Sequence, residues 1–355
     1  MKTASLLTLA SCAAAQLYVG SRVRNKHQDT NRVSATGDES QLSLSDPVAQ
    51  FTDYSSSKYL DKSPIKTGLF TKSPQDNTTC ATYGESQWTG TVDVTATRRL
   101  FYWAFESRND PVNDPVIFWL NGGPGSTSTT GLFIEMGPCW LPVNETVTEP
   151  NPWSWNNNAT VVFLEQPAGV GLSVLAPGAK SSTNDQGGAE DFQTFLNIFY
   201  QEVFPEKKNL PIILSAESYG GHYGPTYLNH ILESRRYNAA NAFRGNITGL
   251  ILVDALLEFS GMAIGQYELL CETEHAKGII NETACENMAL ALPEVERLHR
   301  ICTVGGSGAE CFAAMAYADA HVTNYYGEKV AAGERSPFSS EYIRLCICSK
   351  GQIEE

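Results

Sequence analysis

Leu214-Ser215-Ala216-Glu217-Ser218-Tyr219-Gly220-Gly221-His222-Tyr223 places one serine between an aliphatic run that starts at Ile212 and a segment that favours helix. A strand that turns sharply into a helix lifts a hydroxyl at the turn above the carboxyl edge of a sheet. The helix N-terminus beneath that hydroxyl favours developing negative charge. Such a turn is strained and needs small neighbours: Ala216 stands where the first glycine is usual, and Gly220 keeps the second. This is the context of a nucleophile elbow, although Ser-x-Gly by itself describes an ordinary turn serine equally well.

A second segment, Phe118-Trp119-Leu120-Asn121-Gly122-Gly123-Pro124-Gly125, also follows an apolar run. Glycines there let the backbone approach a ligand and aim amide protons at an oxyanion, a role that side chains would obstruct. Alone, the segment is equally a Gly-Pro turn from strand to helix. Outward from these two stretches, short β-branched and aromatic runs predict six strands: Gly90 to Thr95, Leu100 to Phe105, Val116 to Leu120, Thr160 to Leu164, Ile212 to Ser215 and Ile247 to Asp254. The first two alternate like an antiparallel hairpin. The later ones are continuous apolar runs separated by helix-length segments, the pattern of a sheet becoming parallel. Over Glu190 to Phe204, the residues Phe192, Phe195, Leu196, Phe199 and Tyr200 recur at helical spacing and form one apolar face for the core.

Beyond Asp254 the pattern changes. Residues 255–332 carry Cys271, Cys285, Cys302 and Cys311, several helical stretches and no obvious strand. This predicts a helical insertion stapled by disulfides; four cysteines allow three connectivities. At the other end, Lys2, an apolar run through Leu6, Leu7 and Leu9, and Ala13-Ala14-Ala15 read as a signal peptide over residues 1–15. A polar leader or propeptide-like segment follows over 16–50, and the folded domain is expected over 51–355. Removal of Cys12 with the signal leaves eight of the nine cysteines, an even number suited to an oxidising compartment. Asn77, Asn144, Asn158, Asn246 and Asn281 head Asn-x-Ser/Thr sequons that add to an expectation of a secreted glycoprotein, with a vacuolar destination as the alternative. No apolar run reaches the length of a membrane span. The net charge of −14 and the lack of a basic stretch speak against nucleic acid as a partner. Nothing in the spacing suggests a metal site or a cofactor, and oligomeric state is not legible.

Taken in order, several segments resemble the serine carboxypeptidase family, related to carboxypeptidase Y. They are Phe105 to Pro111, Trp119 to Gly125, Gly131 to Pro138, Asn151 to Asn156, Glu165-Gln166-Pro167-Ala168-Gly169-Val170-Gly171, and Glu217 to Tyr223. The resemblance implies an α/β-hydrolase fold: a mixed sheet with helices on both faces and a helical insertion. It also implies that Ser218 attacks the scissile carbonyl while the amides of Gly123 and Tyr219 form the oxyanion hole. The free carboxylate of a peptide or protein C-terminus would be bound by Asn121, Glu135 and Glu217, with Trp119 and Gly122 nearby. A carboxylate substrate beside two glutamates is tolerable only if protons are shared, so an acidic working pH is expected.

A serine nucleophile also needs an imidazole oriented by a carboxylate. The family places an Asp and then a Gly-Gly-His segment well after the insertion, and neither is visible in these 355 residues. His222 belongs to the elbow helix, whereas the base should approach from the opposite side. His275, His299 and His321 have no acid partner by spacing and read as solvated. The sequence therefore reads as an incomplete domain lacking its last strands, and Cys80 as a cysteine whose partner could lie in the absent part. Two further readings stand beside the peptidase: a catalytically inactive carboxypeptidase-like glycoprotein, and an acyltransferase in which an alcohol replaces water.

Overall fold

The computed structural model describes residues 63–331 apart from 143–145, 274–277 and 306. The expected signal segment and the leader lie outside the described residues. The chain divides into two compact units that meet between Val253 and Asp254.

Among the described residues of the first unit, ten strands form: β1 (Ser73–Gln75), β2 (Gln87–Asp93), β3 (Arg98–Phe105), β4 (Val116–Leu120), β5 (Cys139–Trp140), β6 (Glu149–Pro150), β7 (Thr160–Glu165), β8 (Val174–Leu175), β9 (Ile212–Glu217) and β10 (Ile247–Val253). The main sheet runs β1-β2-β3-β7-β4-β9-β10, with β8 paired to β3 and with β5 and β6 forming a separate ribbon. The strands β1 to β3 pair antiparallel, and β3 pairs antiparallel to β7. From β7 through β4 and β9 to β10 the pairing is parallel. All six expected strands are present. The four missed ones are two or three residues long: β1 and β8 join the main sheet on β2 and β3, while β5 and β6 pair only with each other.

The continuous apolar runs have a physical reason: the central strands are buried on both faces. Along β3, Leu100, Tyr102 and Ala104 enter one core while Phe101, Trp103 and Phe105 enter the other. The same period of two separates Phe118 from Trp119 in β4 and Leu164 from Phe163 in β7. One core is covered by α2 (Asp185–Ile198), which Asn184 caps by accepting from the Gly187 N–H, and by α3 (Gly220–Arg236). Phe192, Phe195, Phe199 and Tyr200 surround Phe118 edge-on at ring separations of 5.3–6.2 Å, so the expected aromatic face is core packing. Under the opposite face lie Leu132 of α1 (Thr129–Ile134) and the ring of Trp155. A mixed sheet with helices on both faces is the α/β-hydrolase arrangement.

Cys80 is not without a partner: it is bonded to Cys139 across 59 residues, and both are fully buried. The sequence reading erred because the two lie far apart and only the folding of β5 beneath the sheet brings them together. Closing a loop of that length restricts the unfolded chain by about 4 kcal/mol in the chain-entropy model. The Cys80→Ser variant is accordingly expected to lose stability of that order in denaturant titration. A change under 1 kcal/mol would show that the bridge adds little.

The second unit is helical among its described residues, with α4 (Phe259–Tyr267), α5 (Glu282–Thr303), α6 (Gly308–Ala318) and α7 (Asn324–Ala331). Met288, Val295, Val322 and Tyr326 anchor its own small core. Of the three possible pairings, the structure has Cys271–Cys285 and Cys302–Cys311. His299 is not merely solvated. Its Nδ1 lies 2.9 Å from Glu258 Oε2, a carboxylate that also caps α4 by accepting from the Ser260 N–H at 2.7 Å. Asp254 falls just past the end of β10, with φ 46° and a carboxyl pushed upward by burial.

Candidate active site

Ser218 occupies the turn between β9 and α3 with φ 56°, in the left-handed region. For a residue with a Cβ this costs on the order of 1–3 kcal/mol and persists only where the surroundings dictate it. Here they do: the Ser218 N–H donates to Val253 O at 2.9 Å, and the Gly221 N–H closes the first helical turn onto Ser218 O at 3.0 Å. The residue is 5% exposed. Ala216 in place of a glycine is accommodated from the other side, since a Cβ added at Gly220 would stand 2.6 Å from the Ala216 methyl. With alanine at 216, only glycine fits at 220.

The glycine loop lies directly against this turn. A Cβ at Gly122 would overlap the Tyr219 amide nitrogen and stand 2.6 Å from Glu217 O and 3.0 Å from Ser218 Cβ. Gly123 has φ +112°, and the Ser126 N–H returns to Gly122 O at 3.1 Å. The backbone at 122–123 therefore reaches the elbow only because it carries no side chain. The register of the sheet sets this up, because Leu120 at the end of β4 pairs with Ala216 in β9 and places the two following loops side by side. Both lie at the carboxyl edge of the parallel strands, where open α/β sheets bind ligands.

Asn121 links the other two residues expected to hold a carboxylate, Glu135 and Glu217. Its Oδ1 accepts from Trp119 Nε1 at 2.7 Å and from the Gly131 N–H at 3.0 Å. With the acceptor committed to two donors, the amide nitrogen must face the other way. There Nδ2 donates to Glu135 Oε1 at 3.4 Å and makes a short bond to Glu217 Oε2. Asn121 is buried, while both glutamates are partly open. The result is a half-exposed acidic pair bridged by one amide, beside the serine turn.

Every residue expected at the site thus lies in one region of the first unit: Ser218 and Tyr219 on the elbow, Gly122 and Gly123 on the loop against it, and Asn121, Glu135, Glu217 and Trp119 in one hydrogen-bonded cluster. Tyr219 faces α2, its hydroxyl 3.5 Å from Asp185 Oδ2; burial first, and then that carboxylate, push its phenol above the ordinary value. The His222 ring stacks on Tyr219 at 4.7 Å. Sequence reading missed Ser128, whose hydroxyl accepts the Asn121 N–H at 3.2 Å, and the part played by Gly131. Ser128 was hidden in the run Ser126 to Thr130, where nothing local singles out one hydroxyl.

Comparison with known proteins follows the same lines. The family model described as serine carboxypeptidase matches residues 74–350. A vacuolar serine-type carboxypeptidase of Saccharomyces cerevisiae is 36% identical over 244 residues, covering 68% of this chain and 45% of that protein. A carboxypeptidase Y homolog A of Fusarium vanettenii is 40% identical over 228 residues, covering 62% of this chain and 39% of that protein. The chain therefore spans less than half the length of these curated relatives. The crystal structure of a prohormone-processing carboxypeptidase from Saccharomyces cerevisiae superposes with a TM-score of 0.52 at 23% identity, over 67% of this chain and 53% of that one, a likeness of fold.

Proposed function

The chain belongs to the serine carboxypeptidase family, and from that premise we propose that it carries the nucleophile, the oxyanion donors and the carboxylate-binding cluster of an exopeptidase that removes C-terminal residues through an acyl-enzyme. The observation that carries this reading is the packing of Gly122 against the Ser218–Tyr219 turn. It sets a loop without side chains directly beside the Tyr219 amide nitrogen and Ser218 Cβ, which supports backbone amides, rather than side chains, as the oxyanion donors. Ser218 forms and breaks the acyl bond, while the amides of Gly123 and Tyr219 stabilise the oxyanion. Asn121, Glu135 and Glu217 receive the free carboxylate of the substrate, which restricts attack to the last peptide bond. Proton transfer from Ser218 calls for an imidazole oriented by a carboxylate; His222, on the elbow helix with its ring stacked on Tyr219, is not assigned that role.

The full-length product, incubated with a blocked dipeptide, is expected to release the terminal amino acid. Cleavage only within longer peptides, or of esters alone, would refute the exopeptidase reading. Fluorophosphonate labelling at Ser218 separates an active enzyme from an inactive glycoprotein.

The acidic pair sets the pH dependence. A third carboxylate entering beside Glu135 and Glu217 is favourable only while at least one proton is held between them, because like charges a few ångström apart repel strongly. Rising pH removes that proton, so KM for a substrate with a free carboxylate is expected to rise toward neutrality. Glu217→Gln supplies a permanent donor instead and should flatten the rise, leaving an amidated substrate insensitive to pH in this range. A KM profile for Glu217→Gln identical to that of the parent chain would exclude the shared proton.

We place the protein in the secretory route, extracellular or vacuolar. The three disulfides of the described residues suit an oxidising compartment, and Asn77, Asn158, Asn246 and Asn281 all stand exposed. No helix among the described residues is long and apolar enough to cross a membrane.

A further inference from the structure

The segment Glu165 to Gly171 stands at the carboxyl end of β7 and touches none of the chemistry assigned so far. Glu165 is 1% exposed, and a carboxyl group removed from water is costly unless its oxygens are satisfied. Both oxygens are committed to a single loop. Oε1 accepts from the Thr127 hydroxyl at 2.5 Å, and Oε2 accepts from the Ser128 N–H at 3.2 Å. The Thr127 hydroxyl also lies 2.6 Å from that of Thr129. Ser128 extends the chain of contacts: its hydroxyl donates to Leu164 O at 2.7 Å and accepts the Asn121 N–H at 3.2 Å.

Asn121 begins the loop that brings Gly122 and Gly123 to the elbow, so a line of hydrogen bonds runs from the Glu165 carboxyl to the oxyanion loop. The main chain at Glu165 is itself pinned. The Ser173 hydroxyl donates to Glu165 O at 2.6 Å and accepts the Phe101 N–H at 2.8 Å. Gly171 has φ +54°, and a Cβ there would collide with the carboxyl group, 2.7 Å from Oε1. Burial pushes the Glu165 carboxyl above its ordinary range, against the opposing hydrogen bonds of Thr127, Ser128 and Thr129.

We propose that Glu165 is the positioning residue of the oxyanion loop, locking Thr127 and Ser128 and through them the backbone of Asn121 to Gly123 against Ser218. The catalytic half of this inference rests on the reading of Gly123 as an oxyanion donor; the structural half does not. Hydrogen exchange, followed by mass spectrometry on peptides from 118–134 and from 190–204, tests it on the chain as it stands. In Glu165→Ala and in Thr127→Val the loop amides are expected to exchange about tenfold faster while α2 keeps its protection. Glu165→Gln, which retains an acceptor for Ser128 and a partner for Thr127, is expected to restore most of the loop protection. Unchanged loop exchange in both Glu165→Ala and Thr127→Val overturns the proposal, as does equal loosening of loop and α2. In the full-length peptidase assay Glu165→Ala is further expected to lower kcat about tenfold with KM within a factor of two. A change confined to KM counts against a role in positioning the oxyanion donors. If the parent protein releases no C-terminal residue, the exopeptidase reading falls and the exchange result alone decides the role of Glu165.

Discussion

Ser218→Ala is expected to abolish release of the C-terminal residue by the full-length protein, by about 10⁶-fold in kcat, the loss typical of removing a serine nucleophile. The hydroxyl is the one group proposed to form the acyl bond. Folding should survive, because alanine keeps the Cβ and leaves the backbone bonds of Ser218 to Val253 and Gly221 in place. A companion variant uses the backbone strain. With φ at 56° the serine sits where glycine is at ease, so Ser218→Gly should be equally inactive yet about 1 kcal/mol more stable in denaturant titration. A variant that keeps measurable turnover contradicts the elbow as the seat of the reaction, and a glycine variant less stable than the alanine one contradicts the strain read from φ 56°.

The second large effect concerns Gly122. A methyl group there meets the Tyr219 amide nitrogen, Glu217 O and Ser218 Cβ. The first two are backbone atoms, and Glu217 is tied into the pairing of β9 with β10, so the elbow cannot yield cheaply. The loop must move instead, and it carries the proposed oxyanion donor Gly123. Loss of one such donor typically costs about 10²- to 10³-fold in rate. Gly122→Ala is expected to show a fall of that size in kcat together with a stability loss of about 1–3 kcal/mol from overpacking. Gly249→Ala serves as the control, because a Cβ in β10 would meet only Ile213 side-chain carbons at 3.8 Å. If both variants behave alike, close approach at Gly122 is not what assembles the site.

Much of this architecture is legible in the residues because it depends on local rules. Val116 to Leu120 reads as a buried strand from its unbroken apolar run, and burial on both faces is what the run requires. The aromatic face of Phe192, Phe195 and Phe199 reads as helix from its spacing. The start of that helix is harder: apolar spacing begins near Glu190, whereas the helix begins at Asp185, where the Asn184 side chain caps it. Polar caps leave no periodicity. The short strands Ser73–Gln75 and Val174–Leu175 are illegible for a related reason, since their extended form comes from the edges they join rather than from their own residues. The bond between Cys80 and Cys139 and the contact of His299 with Glu258 depend equally on partners that spacing does not announce.

By itself the sequence determined the chemical identities at the site: a serine flanked by small residues after a strand, a loop without side chains after another strand, and the segments that mark the family. Only the tertiary structure decided that Asn121, 96 residues from Glu217, shares a hydrogen bond with it, that Gly122 touches the serine turn, and that the Glu165 carboxyl accepts from Thr127 and Ser128. The physical reason is the range of the forces involved. Backbone propensity and apolar alternation are energies of near neighbours and are written in the order of residues. The order and register of β7, β4 and β9 follow from covering both faces of the sheet at once, and that cost is settled by the whole unit together.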